Sequence, residues 1–161
     1  MNKTIKVGMA DLNISKSPDS LTTLGLGSCV GICLYDKVRK IAGLAHIMLP
    51  SSKEIKNNSN RAKFADSGID ELIRLMSNEG ANKNNLIAKI AGGSQMFNFN
   101  SGNDMLRIGE RNVNATKEKL KELNIRIIAE DTGGNFGRTI TFDSEDGSLN
   151  IRTLGHGEKI I

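Results

Sequence analysis

The chain has 161 residues, with 22 Lys and Arg against 18 Asp and Glu, a formal net charge of +4, and 38% apolar but only 4% aromatic residues. That balance describes one globular domain over residues 1–161, with a core of Ile, Leu, Val, Ala and Met rather than aromatic rings. It excludes long disorder, because apolar runs recur throughout, and a membrane span, because no stretch nears the ~20 apolar residues one requires. It also argues against nucleic acid as a partner. The basic residues are interleaved with acids, as in Lys117-Glu118-Lys119-Leu120-Lys121-Glu122, which reads as a solvated helix face. With one Tyr and no Trp there is almost nothing to stack bases on.

In chain order, Ile5, Val7 and Met9 alternate with small or polar residues and predict a first strand. Residues 29–36 and 39–49 are apolar and β-branched on both faces, so they predict two strands covered on two sides, joined by a tight turn at Asp36–Arg39. Residues 51–60 are polar and predict a loop. Ala65, Ile69, Leu72, Ile73 and Met76 place a helix within 61–79, stopped by Gly80. A strand over 86–91 runs into Gly92-Gly93. A second helix over about 109–123 carries Val113, Thr116, Leu120 and Leu123, and a further strand covers 125–130. Residues 138–143 and 148–154 predict a closing hairpin around Asp146-Gly147, leaving a tail that contains His156. The sum is an α/β domain of α+β type, a layered sandwich of mixed sheet flanked by amphipathic helices.

No apolar run marks an export signal at the N-terminus, and the only cysteines are Cys29 and Cys33. On one strand they stand about 13 Å apart, too far to form a disulfide. Free thiols without a leader predict a reducing, cytoplasmic setting.

Chemistry enters through the first hairpin. With Lys37-Val38 at its tip, opposite residues have numbers summing to 75. Cys29 then faces His46 across the ladder, with Cβ atoms ~4.5–5.5 Å apart on one face. A thiol beside an imidazole is a candidate nucleophile with its base, although two such residues on a buried face also occur as plain packing. Cys33, set opposite Ala42, reads as a small core residue. Cys29 ends the run Leu24-Gly25-Leu26-Gly27-Ser28, whose glycines allow backbone N–H groups close to a substrate oxygen, as an oxyanion hole requires. Thr23 offers a hydroxyl to orient the imidazole, but on the residues alone an ordinary strand position accounts for it better.

Other candidates are weaker. Gly25-Leu26-Gly27 lacks the third glycine and the following helix of a dinucleotide site. Gly92-Gly93 and Gly133-Gly134 lack the Lys-Ser/Thr of a phosphate loop. Two cysteines on one strand and two distant histidines do not make a zinc site, so neither metal nor cofactor is expected. Glu130 and Asp131 read as loop-facing acids, and His156 as an exposed tail residue.

The segments Thr23-Leu-Gly-Leu-Gly-Ser-Cys29-Val30 and Ala45-His46-Ile-Met-Leu-Pro50 resemble the CheD family of chemoreceptor glutamine deamidases. The likeness continues, in order, through Lys63–Asp66, Lys89–Phe97, Ile108–Asn112 and Ala129–Asn135, covering roughly residues 3–154. Several motifs in register are far more specific than any one of them. The resemblance implies a cysteine hydrolase with a fold related to deamidating toxins, acting on receptor glutamine and by the same chemistry on glutamate methyl esters. It implies Cys29 as nucleophile, His46 as base and Thr23 as the orienting residue, with Gly27 and Ser28 at the oxyanion. The implied partners are the cytoplasmic helical region of methyl-accepting chemotaxis receptors and a CheC-type phosphatase. A regulator that binds such a phosphatase is the alternative reading.

Overall fold

The computed structural model describes residues 2–96 and 107–161. Its elements are β1 (Thr4–Lys6), β2 (Asp11–Lys16), β3 (Ser20–Leu26), β4 (Val30–Asp36), β5 (Ile41–Ile47), α1 (Ala65–Asn78), β6 (Leu86–Gly92), α2 (Ile108–Glu122), β7 (Arg126–Thr132), β8 (Arg138–Asp143), β9 (Leu149–Thr153) and β10 (Gly157–Ile160). Single 3-10 turns lie at Ser52–Glu54, Arg61–Lys63 and Lys83–Asn85. Two five-stranded sheets result, in the orders β1-β3-β8-β9-β10 and β2-β5-β4-β6-β7. Both are mixed: β1–β3 and β6–β7 are parallel pairs, and the other pairs are antiparallel.

The sheets stack, and both helices cover the far face of the second. β4 and β5 are buried at every position, as their two-sided apolar sequences predict. Val30, Ile32 and Leu34 face the helices with Ile69, Leu72 and Met76. Cys29, Cys33 and Tyr35 face the first sheet with Leu21, Ile140 and Phe142. Burying each large apolar side chain here contributes about 1.5–3 kcal/mol. The fold class expected from sequence is therefore the one found. Among the described residues no helix is long and apolar enough to cross a membrane.

Helix α1 ends as its sequence requires. Gly80 takes φ +108°, its N–H donates to the Ser77 carbonyl, and the Ala81 N–H donates to that of Met76. This closure satisfies the last carbonyls through a residue without a Cβ penalty. The helix begins at Ala65 rather than 61, because Arg61–Lys63 form a 3-10 turn and Phe64 is extended.

Four expectations need correction. Strand β1 stops at Lys6, and Met9 is exposed in a turn. The segments 11–16 and 20–26, not assigned from sequence, are strands, so Leu24–Leu26 belongs to β3 with a register shift between Thr23 and Leu26. The supposed tail is β10, paired with β9, and His156 stacks on Phe136 with ring centroids 4.5 Å apart. The first hairpin closes with Asp36 opposite Ile41, so paired numbers sum to 77 rather than 75. Its turn has four residues, 37–40. The Asp36 carboxylate accepts the N–H groups of Val38 and Arg39, and Lys40 takes a left-handed φ of 53°. Phe97, the end of the Lys89–Phe97 segment, lies outside the described residues.

Candidate functional site

The corrected register moves Cys29 but keeps its face. His46 stands opposite Gly31, and Cys33 opposite Leu44 rather than Ala42. Cys29 lies in a bend just before β4, two residues from the Gly31 that stands opposite His46. Gly31 has no side chain, and Ile140 and Leu26 of the first sheet pack where its Cβ would be, 2.6 Å and 3.1 Å away. The shift of two preserves the alternation of faces, whereas a shift of one would have separated the pair.

Thr23 comes from the other sheet. Its Oγ1 lies 2.7 Å from His46 Nδ1 and donates to the Val7 carbonyl at 2.7 Å. A hydroxyl carries one proton, so Thr23 accepts from Nδ1, and Nδ1 carries the imidazole proton. His46 Nε2 is then the unprotonated nitrogen. It is buried and has no hydrogen-bond partner among the described residues. Thr23 and His46 are almost wholly buried, while Cys29 retains 8% of its surface.

Burial keeps both Cys29 and His46 neutral. Burial pushes the Cys29 thiol up from its ordinary value, only partly offset by the residue's own N–H. Burial likewise pushes the His46 imidazolium down. Removing either group from water disfavours its charged form, so the resting pair is thiol and imidazole, not a preformed thiolate and imidazolium. Cys33 is fully enclosed, and burial pushes it far higher, which makes it unreactive.

The segment before Cys29 is anchored through its carbonyls. Gly27 accepts from the Ser94 N–H at 2.9 Å, Ser28 from Asn112 Nδ2 at 3.0 Å, and Cys29 from the Gly93 N–H at 2.8 Å. The Gly27 N–H is engaged with the Gly25 carbonyl at 3.0 Å, so it is not available to a substrate oxygen. The Ser28 and Cys29 N–H groups have no backbone or side-chain acceptor beyond the Cys29 thiol itself among the described residues. Gly27 instead gives way to Met96, whose Cγ would lie 3.2 Å from a Cβ at that position.

Two contributors escaped the sequence reading, the Val7 carbonyl and Asn112. Asn112 is fully buried, and its Nδ2 also donates to the Met48 carbonyl at 2.9 Å. In sequence Asn112 stood out only as the end of the Ile108–Asn112 segment of family likeness and as half of a polar pair with Thr116, four apart on the buried face of α2. Glu130 pairs with Lys117 at the surface. Asp131 joins the nearly buried Arg138 at 3.0 Å and Lys159 at 2.9 Å, so both acids are structural partners here. Among the described residues no group of three His, Cys, Asp or Glu side chains is placed to hold a metal ion.

A thiol, an imidazole of fixed tautomer and two unengaged N–H groups are the parts from which thiol-dependent acyl-transfer hydrolases are built. The family model for CheD chemotactic sensory transduction matches residues 48–153. A protein of Lachnoclostridium phytofermentans named probable chemoreceptor glutamine deamidase CheD is 62% identical over 161 residues, all of both chains. One from Caldanaerobacter subterraneus subsp. tengcongensis with the same name is 61% identical over 99% of each chain. The chemoreceptor glutamine deamidase CheD of Halalkalibacterium halodurans is 56% identical over the full length of both. The chain belongs to the CheD family. Among solved structures, Bacillus licheniformis hypothetical protein YfiH is similar at a TM-score of 0.46 and 19% identity, covering 76% of this chain and 50% of that one, too distant to bear on function.

Proposed function

We propose that this protein hydrolyses the side-chain amide of glutamine in chemotaxis receptors to glutamate, with Cys29 as nucleophile, His46 as general base and acid, and Thr23 as the residue that holds the imidazole. One observation carries the assignment of roles: the Thr23 hydroxyl, committed to Val7, leaves His46 Nε2 unprotonated and unpaired on the face that carries Cys29. The deamidase names of relatives above 50% identity over the full chain support the substrate.

The steps follow from the neutral pair. As Sγ attacks the amide carbon, the thiol proton passes to His46 Nε2, so charge develops only when the substrate is present. The carbonyl oxygen becomes an oxyanion, received by the Ser28 and Cys29 N–H groups. The new Nε2 proton goes to the amide nitrogen, the C–N bond breaks, and ammonia leaves a glutamyl thioester. Nε2 then takes a proton from water, hydroxide adds to the thioester, and the C–S bond breaks. Sγ recovers the proton, and glutamate is released. A glutamate methyl ester would enter through the same thioester with methanol leaving. The acceptor side chain gains one negative charge, the kind of change that switches a receptor.

Incubation with a cytoplasmic receptor fragment tests this directly. Ammonia release matched to new glutamate supports the reading, and a fragment that yields neither removes it.

A further inference from the structure

We infer that Asn112 is a positioning residue that aims the oxyanion donor. This role rests on the proposed Cys29 chemistry, though not on the identity of the acyl substrate. In a trans peptide the carbonyl of one residue and the N–H of the next point in opposite directions. Among the described residues the only cis bond is Ser17-Pro18, so the Ser28–Cys29 peptide is trans. Asn112 Nδ2 holds the Ser28 carbonyl at 3.0 Å, which turns the Cys29 N–H away from α2. The Ser94 N–H does the same at the Gly27 carbonyl and so directs the Ser28 N–H. Both candidate donors are thus aimed by bonds made on the far side of their own peptides.

Asn112 does one thing more. Both acceptors of its Nδ2 are carbonyl oxygens, which only accept, so the orientation of the amide is determined. Its second proton goes to Met48, two residues beyond His46. One buried amino group therefore ties the chain beside the nucleophile to the chain beside the base. The residue is fully buried and its Oδ1 has no partner among the described residues, so its polarity is retained at a desolvation cost and spent on these two carbonyls. Thr116 Oγ1 donates to the Asn112 carbonyl at 2.8 Å, within the same helical turn.

The test separates aiming from folding by using two reactions of one thiol. Alkylation of Cys29 by iodoacetamide develops no oxyanion, whereas acylation by p-nitrophenyl acetate does. Both rates are measured for wild type, Asn112→Ala and Asn112→Leu, the last being close to isosteric. The expected result is alkylation within a few-fold of wild type and acylation lowered about ten- to hundred-fold, somewhat less than outright loss of an oxyanion donor. On a receptor fragment the same variants lose kcat with KM little changed. Equal loss of both reactions would make Asn112 merely structural and overturn the inference. So would unchanged acylation, or a wild-type Cys29 that is alkylated but never acylated. A wild type that is acylated but leaves the receptor fragment untouched would remove the proposed substrate and leave the Asn112 comparison readable.

Discussion

Thr23 in one sheet and His46 in the other are joined by a 2.7 Å hydrogen bond whose direction is set elsewhere, by the Val7 carbonyl that takes the hydroxyl proton. The bond spans the inter-sheet layer and fixes which imidazole nitrogen is free. Thr23→Val keeps the shape and removes the hydroxyl. Two buried groups lose their partner, at a cost of about 1–3 kcal/mol each. Deamidation is expected to fall by about two orders of magnitude through the wrong tautomer, as when an orienting partner is lost from other base-assisted nucleophiles. A thermal melt beside a rate assay checks both; an active Thr23→Val would remove the orienting role.

The pH dependence follows from His46. Burial lowers its folded-state pKa below the ordinary value, so the base stays neutral and competent at pH values where an exposed histidine is charged. The acidic limb of kcat/KM is therefore expected below about pH 6.5, the usual histidine value. Stability carries the same sign. The unfolded chain binds the proton first, so as pH falls below about 6.5 the folded state loses stability, until the folded-state pKa is passed. His46→Asn removes this component, and melts of the two proteins at pH 7 and pH 5 measure it. A limb above the ordinary histidine value would contradict the burial argument.

Cys33 supplies an internal control. It is fully buried, faces Leu44 in the ladder, and its thiol is held protonated by burial. Cys33→Ala is expected to keep deamidation within about two-fold and to cost about 1 kcal/mol through lost packing. Peptide mapping after iodoacetamide should find the label on Cys29 alone.

How much of this was legible in the sequence depends on the element. The strands β4 and β5 and helix α1 were readable because each buries a continuous apolar pattern whose period is unambiguous. β2 was not, since Asp11-Leu12-Asn13-Ile14-Ser15-Lys16 is a half-exposed edge strand with only two large apolar residues. β10 is exposed at every position and exists through pairing with β9, which no local pattern encodes. The face shared by Cys29 and His46 was legible because face alternation survives an even register error. The turn that set the error depends on the Asp36 carboxylate capping Val38 and Arg39, a side-chain effect that strand patterns do not show. Asn112 acquires meaning only when α2 is docked beside Ser28 and Met48.

Gly92 tests how Cys29 is seated. It adopts φ +111°, and a Cβ there would lie 2.3 Å from the Cys29 carbonyl oxygen. Gly92→Ala must displace that peptide or strain its own backbone, so it is expected to destabilise by about 2 kcal/mol or more. Deamidation should fall further than the melting temperature alone explains. Gly8→Ala, where nothing among the described residues lies within 4 Å of the added carbon, is the matched control and should change neither.

The central claim is that Cys29 and His46 together convert receptor glutamine to glutamate. Peptide mass spectrometry of a cytoplasmic receptor fragment, incubated with wild type, Cys29→Ala or His46→Ala, reads it at the level of single residues. Wild type should convert specific glutamines, and both variants should leave them intact while remaining folded. Conversion that persists in Cys29→Ala, or a fragment left unmodified by wild type, would contradict the account.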